Sequence, residues 1–278
     1  MKTGRETVLE QYENSGNLGA RAALHQRYST NPYPWFRWLF DQLDLPDDGR
    51  VLELGCGPGT LWVENLDRVP DGWRVTLTDL SAGMVGESRG KLHDDLNNVA
   101  FQVSDAQDLA FADATFDAVI ASHMLYHVPD RQRALREIAR VLVPSGRLYA
   151  ATNGAGNLDR IKTLKRTYFP RYAANEEESR LDGFKLENGA AQLREVFPDV
   201  TLRRYRDALV VTEAEPLVAY VLSTMFAQAA QRDLSPEDFE GTVDALRREL
   251  TEELGRDGAI HIAKETGIFV AATAATRA

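Results

Sequence analysis

Between residues 50 and 152 short β-rich runs alternate with helical stretches, and that order admits few folds. RVLELG (50–55), WRVTLTD (73–79), VAFQVSD (99–105), FDAVIASH (116–123) and GRLYAAT (146–152) read as strands. Between them lie the helical patterns GTLWVENLDRV (59–69), SAGMVGESRGKLHDDL (81–96), which Ser81 caps, and PDRQRALREIARVL (129–142). Apolar runs of this length separated by helices predict a parallel sheet covered on both faces. Right-handed crossovers then make it a doubly wound α/β sheet.

The flanks are mostly helical. Residues 1–45 read as helices broken by RYSTNPYPW, whose prolines force an extended turn before WFRWLFDQL. NLDRIKTLKRTYFP (157–170) reads as helix, 175–180 as a polar loop, GAAQLREVF (189–197) as helix and VTLRRYRDALVV (200–211) as strand. Two helices follow, EAEPLVAYVLSTMFAQAA (213–230) and SPEDFEGTVDALRRELTEEL (235–254), with Ser235 opening the second. The chain closes on two β-rich runs about Gly267. The expected layout is a helical cover (1–45), a doubly wound core (46–206), a helical cap insertion (207–256) and the last strand or strands of the core sheet (257–278).

Composition narrows the function. A 44% hydrophobic content supplies a packed core. A net charge of −10, from 42 acids against 32 bases, argues against broad contact with a phosphate backbone, so no nucleic-acid partner is expected. The single cysteine, Cys56, leaves neither a disulfide within the chain nor a multi-cysteine metal site. No apolar run approaches membrane-spanning length and MKTGRETVLEQ has no apolar signal core, so a cytoplasmic protein is expected.

The first strand runs into VLELGCGPGT, with glycines at 55, 57 and 59 and Glu53 just before them. A dinucleotide fingerprint would carry its third glycine where Thr60 stands, and a phosphate loop would need Gly-Lys-Ser/Thr. The stretch resembles motif I of the class I S-adenosylmethionine-dependent methyltransferases. DLSAGMV after the second strand, SDAQDLAF (104–111), and FDAVIASHMLYHVPD followed by ALREIARVLVPSGRLYAAT are similar to that family in order and spacing, notably to its ubiquinone- and menaquinone-biosynthesis branch. The resemblance covers residues 50–152 closely and the flanks in outline.

It implies a Rossmann-like, mostly parallel seven-stranded sheet, S-adenosylmethionine as donor, S-adenosylhomocysteine as product, and no metal. It places Glu53, Gly55, Cys56, Gly57, Gly59, Asp79, Leu80, Met84, Asp105, Ala106, Ser122 and His123 around the cofactor. Asp79 would accept the ribose hydroxyls, Asp105 would take the adenine amino group, and Ala106 would donate its backbone N–H. Tyr12 and Tyr28 would reach the cofactor from the N-terminal helices. Bare glycine backbone would let the ligand lie close, and the helix start after Gly59 would face its carboxylate. Cys56 reads better as packing than as chemistry.

Methyl transfer from a sulfonium is an in-line displacement, so positioning is the main requirement, and a base matters only where the acceptor carries a proton. His123, Tyr126 and His127 follow the fourth strand, where the family often has two adjacent histidines. His127 is the first candidate base; equally, it caps the next helix or packs under the sheet. His123 and His127 stand four apart, but no Asp, Glu or Cys cluster joins them, and a metal is not expected. NPYP at 31–34 is out of order for an amino-methyltransferase motif and follows no apolar strand. LVAYVLSTMF (217–226), with Met225 and Phe226, serves to line an apolar acceptor pocket, to form a homodimer seam, or as plain structural support. The reading is methyl transfer to an oxygen, nitrogen or carbon of a small molecule. The alternatives are a non-catalytic cofactor-binding protein of the same fold and, further off, a nucleic-acid or protein methyltransferase.

Overall fold

The computed structural model describes residues 16–172 and 183–274. Tyr12 and the 175–180 stretch lie outside the described residues. Seven strands form one sheet of order β3-β2-β1-β4-β5-β7-β6: β1 (Arg50–Leu54), β2 (Arg74–Asp79), β3 (Val99–Val103), β4 (Phe116–Ser122), β5 (Leu142–Asn153), β6 (Asp199–Val211) and β7 (Ile260–Ala272). β1 to β5 pair in parallel, while β7 runs antiparallel to both β5 and β6. The sheet is therefore doubly wound and mostly parallel, with its strand order reversing between β1 and β4.

Alternation along each strand divides the core between two faces. Leu52, Leu54, Val119, Ala121 and Leu148 point to one face, under α5 (Arg131–Val141) and α7 (Gly189–Arg194). Val51, Ala118, Ile120, Tyr149 and Ala151 point to the other, under α2 (Trp35–Phe40), α3 (Thr60–Val63) and α4 (Ala82–Leu92). Caps read from sequence are in place: Ser81 Oγ accepts from Met84 N at 3.3 Å, and Ser235 Oγ accepts from Asp238 N at 3.1 Å.

Two expected helices are broken, each by a polar side chain that takes a backbone carbonyl. The 59–69 helix is a single α turn followed by a 3-10 turn at Leu66–Arg68, because the Asn65 amide donates to Leu61 O (2.7 Å) and Phe36 O (3.1 Å) between them. The 213–230 helix is two, α8 (Ala214–Leu222) and α9 (Met225–Asp233). At the break, the hydroxyls of Ser223 and Thr224 donate to Tyr220 O and Val221 O, each at 2.6 Å. The two terminal β-rich runs, by contrast, are one strand passing through Gly267.

The β6–β7 ribbon outruns the sheet. β5 ends at Asn153, opposite Thr266, while β7 continues through Glu265 to Ile260 paired with β6 alone, from Arg206 to Val211. This overhang projects past the carboxyl ends of the parallel strands. β6 runs unbroken through 207–211, so the helices between β6 and β7 occupy Ala214–Asp257, ending in α10 (Pro236–Asp257). They close a second core on the overhang: Leu217, Val221, Leu246 and Leu250 pack with Leu209, Ile260 and Ile262. α1 (Gly16–Tyr28) and α6 (Asp159–Tyr168) join through Leu24, Tyr28, Ile161 and Leu164. Among the described residues no helix is long and apolar enough to cross a membrane.

Leu246 is fully buried in this second core. Truncating Leu246→Ala is expected to lower unfolding free energy by about 2–4 kcal/mol through lost transfer energy and a residual cavity. Urea unfolding of the variant beside the parent checks it.

Candidate active site

The carboxyl ends of β1, β2 and β4 meet at the strand-order reversal, where doubly wound sheets hold their ligands. Gly55, Gly57 and Gly59 all have positive φ (68°, 53° and 77°), a backbone that side-chain-bearing residues rarely adopt. Their surroundings differ. A Cβ on Gly55 would stand 2.8 Å from the Met124 side chain, and one on Gly59 would stand 2.7 Å from Leu92 and 2.8 Å from Ser88 Oγ. A Cβ on Gly57 would meet nothing within 4 Å. Gly55 and Gly59 are thus required by packing as well as by φ, and Gly57 alone faces open space.

Asp79, at the end of β2, braces that turn. Its Oδ2 accepts from Gly57 N at 3.0 Å and its Oδ1 from Ser81 N at 2.8 Å. Burial raises its pKa, against those backbone bonds. Glu53 lies beneath, 3% exposed, accepting from the Trp62 indole at 2.6 Å. Burial pushes its carboxyl up to about 8, against the Trp62 bond and with help from Asp79. Glu53 is therefore a protonated group supporting the loop from below. Cys56 is buried, its thiol pushed up by burial and by the carboxyls of Glu53 and Asp79. Leu80 is half-buried beside Asp79, and Met84 and Ala106 are buried. Asp105 follows β3 and accepts from Gln107 N at 2.9 Å and Gln107 Nε2 at 3.0 Å.

Ser122 ends β4, and His123 turns the chain with φ of 56°, its N–H on Ala151 O at 3.1 Å. Tyr126 and His127 occupy the 3-10 turn Leu125–His127, with ring centroids 4.5 Å apart. Burial lowers His123 to about 4, with His127 and Lys264 adding to the effect, and burial alone brings His127 to about 4. Both imidazoles are neutral at pH 7.

Facing β4 is a cluster drawn from five elements. The Trp35 ring lies 5.4 Å from His123, 5.4 Å from Trp38 and 5.3 Å from Tyr205 of β6. Tyr205 donates to Tyr33 O at 2.5 Å, and the Lys264 ammonium of β7 stands 5.9 Å from its ring. Lys264 pairs with Asp207, whose side chain is wholly buried. His25 of α1 lies 6.1 Å from Tyr220 of α8 and is held at about 4, first by burial and then by Lys264. Tyr28, one turn further along α1, is 7% exposed.

Residues 52–150 match the family model described as a methyltransferase domain. Residues 52–150 are thus similar to a methyltransferase domain. Over 116 residues the chain is 37% identical to the ubiquinone/menaquinone biosynthesis C-methyltransferase UbiE of Vibrio campbellii, covering 41% of this chain and 45% of that protein. Over 179 residues it is 30% identical to methyltransferase GfsG of Streptomyces halstedii, covering 58% and 63%. The matches thus span between under half and under two-thirds of these relatives. Two solved structures share the fold. A phosphoethanolamine N-methyltransferase 2 of Haemonchus contortus, with phosphomonomethylethanolamine and S-adenosylhomocysteine, has a TM-score of 0.58 at 19% identity, over 99% of this chain and 61% of that one. The [4+2]-cyclase SpnF has 0.56 at 19% identity, over 98% and 97%.

The matched stretch supplies the glycine turn, Asp79, Asp105 and the β4 end that sequence reasoning collected. Asp207, Lys264, Tyr205 and Tyr220 come from outside the matched stretch and were not singled out. Asp207 and Lys264 are 57 residues apart in sequence, and only the β6–β7 register joins them. For Met225 and Phe226 the expectations were a pocket lining, a dimer seam or plain structural support. Met225 is 38% exposed, and Phe226 packs on the second core with the Lys165 ammonium 5.0 Å from its ring. The apolar face of α8 is spent on Leu217, Val218 and Val221 within that core.

Glu53 makes a pH prediction. Its folded pKa of about 8 lies above the usual 4.5, so the folded state holds a proton that the unfolded chain releases. Stability from this group is full below the unfolded value and falls as pH rises toward 8, by at most about 1.4 kcal/mol per unit. Between pH 7 and 8, well above the folded values of His25, His123 and His127, Glu53→Gln is expected to show a flatter decline than the parent. Denaturant midpoints at several pH values measure it, and equal slopes would mean that Glu53 is ionised in the fold.

Proposed function

We propose that this protein transfers a methyl group from S-adenosylmethionine to a small molecule. The observation that carries the reading is Gly57: a left-handed residue opening onto empty space, its N–H tied to Asp79, inside a methyltransferase domain. The residues present fit the cofactor. Gly57 and its neighbours would receive the methionine portion and ribose, Asp79 the ribose hydroxyls, and Asp105 with Ala106 the adenine. Leu80, Met84 and Ser122 would border it, and Tyr12 and Tyr28 remain candidates from the N-terminal cover. Bound there, the cofactor supplies a methyl already activated by a sulfonium. The work left to the chain is alignment. Residues 46–206 with 257–278 then serve as the cofactor-binding core, and the helices within 207–256 as a cap on the acceptor side. His123, Tyr126 and His127 stand at the methyl side, with His127 as base where the acceptor must lose a proton. UbiE is named for ubiquinone and menaquinone biosynthesis, and the Haemonchus contortus enzyme for phosphoethanolamine.

A second reading has its own support. One structural neighbour is described as a [4+2]-cyclase, so the fold also serves a protein not named for methyl transfer. Turnover of methyl-labelled cofactor across a metabolite panel separates transfer from binding alone.

Calorimetry with S-adenosylhomocysteine is expected to give micromolar or tighter affinity. Asp79→Asn should weaken it roughly ten- to hundred-fold, since each lost charge-assisted bond is worth about 1.5–3 kcal/mol. Gly57→Ala should also weaken it while costing only about 1–2 kcal/mol of stability in backbone strain. Gly59→Ala should cost more stability, because its Cβ strikes Leu92 and Ser88. Unchanged affinity in folded Asp79→Asn and Gly57→Ala proteins would remove this reading.

A further inference from the structure

Asp105 stands just past the end of β3, and its neighbour Ser104 donates its backbone N–H to Asp79 O at 3.0 Å, so the two acids lie on adjacent strand ends. The half-buried Gln107 holds the Asp105 carboxylate. Asp105 Oδ1 accepts from Gln107 N at 2.9 Å and from Gln107 Nε2 at 3.0 Å, while Gln107 Oε1 accepts from Asp130 N at 3.0 Å. An amide donates on one side and accepts on the other, and only this orientation serves both neighbours. Asp130 is a fixed point, because its Oδ1 accepts from Arg133 N at 2.9 Å and caps α5. The stretch after Gln107 has its own ties to that helix. Glu137 Oε2 accepts from Leu109 N at 3.0 Å, and Arg140 donates to Leu109 O at 2.8 Å and to Phe111 O at 2.7 Å. Loss of the Gln107 amide therefore releases the Asp105 carboxylate and leaves residues 109–111 anchored. Two bonds at one oxygen orient a carboxylate without exhausting it, since it offers about four acceptor positions.

We propose that Gln107 is a positioning residue for the cofactor's adenine: it ties the Asp105 carboxylate to the start of α5, so that the carboxylate is already placed to accept from the adenine amino group, and the site selects adenine over purines lacking that group. The inference rests on the methyl-transfer reading, and within it on Asp105 as the acceptor from adenine. A carboxylate held in one rotamer has no ordering cost left to meet when the ligand arrives, and that saving is realised only by a ligand that donates to it. Gln107 thus acts on specificity more than on bulk affinity. The chemistry calls for a glutamine. A glutamate could still take the Asp130 N–H, but it would offer Asp105 no donor and would set a second carboxylate against it.

The test is calorimetry on the full chain with two ligands, S-adenosylhomocysteine and its deamino analogue, in which hydrogen replaces the adenine amino group. The parent is expected to bind S-adenosylhomocysteine about tenfold or more tightly than the analogue, the range of a hydrogen bond to a charged group. Gln107→Met keeps the side-chain length and loses both bonds. It should bring that preference to about threefold or less, with affinity for the analogue within about twofold of the parent's. Gln107→Glu keeps the bond to Asp130 N and should lose the preference as well, so it decides the matter if Gln107→Met fails to fold. Asp105→Ala should abolish the preference, and adding Gln107→Met to it should change the ratio no further, because the two residues act as one unit. A mere brace for the loop would weaken both ligands by the same factor and keep their ratio, which overturns the proposal. So does a parent that does not discriminate, a parent-like ratio in Gln107→Glu, or a preference that survives in Asp105→Ala. Failure of the parent to bind S-adenosylhomocysteine strikes the methyl-transfer reading and this proposal with it, whereas tight binding with an unchanged ratio in Gln107→Met strikes this proposal alone.

Discussion

Asp207 is a carboxylate with no solvent exposure on a strand that overhangs the sheet, and a charge so placed must find its partners in the protein. It accepts from Ser29 Oγ at 2.5 Å, from Thr30 N and Asn31 N at 3.0 Å each, and from the Lys264 ammonium. Burial works to raise its pKa, yet the bonds from Lys264 and Ser29 hold it below the usual carboxylate range. Three of these donors belong to the link between α1 and α2. The carboxylate therefore fixes where the N-terminal helices sit over the carboxyl ends of the strands. Everything on the β4 side follows from that placement: Trp35 on His123, His25 on Tyr220, and Tyr28 in the second core. A buried pair of this kind adds little net stability, because desolvation offsets attraction, but losing one partner strands a charge. Its contribution is to select one arrangement of the roof.

The doubly wound core was legible because its signals are local. Apolar runs of strand length, the Ser81 cap and the helical period between strands all lie within a few residues of what they specify. The misread helices failed for an equally local reason that periodicity does not register. Asn65, Ser223 and Thr224 each bond a nearby carbonyl and end a helix inside an apolar pattern. The pairing of Asp207 with Lys264 was beyond reach for another reason. It depends on the register of two strands separated by the whole cap, and no neighbouring residue announces that register.

The glycine turn shows a subtler limit. A sequence reading treats Gly55, Gly57 and Gly59 alike, as backbone cleared for a ligand. All three do need positive φ, but the space around them is decided by residues from other elements. Met124, after β4, fills the volume above Gly55, and Ser88 and Leu92 of α4 fill that beside Gly59. The turn is thus two packed glycines flanking one open glycine. The same limit holds for Glu53. Its position before the turn is visible in sequence, whereas its burial under Trp62 is not.

The electrostatic state of the site bears on how the proposed reaction would proceed. Glu53 is protonated, His25, His123 and His127 are neutral, and Lys264 is matched by Asp207. With these groups uncharged or paired, and buried, the hydrogen bonds among them act in surroundings of low polarity. The same burial that keeps the imidazoles neutral also makes them weak bases. A histidine held at about 4 leaves a proton-carrying acceptor mostly protonated at neutral pH. Proton removal by His127 is therefore a small lever here until an acceptor changes its surroundings. Alignment is the larger one, because holding reacting atoms in line is worth up to about 7–11 kcal/mol where the geometry is right. The aromatic stack on His123 and the Asp207-anchored roof supply the rigidity that alignment requires.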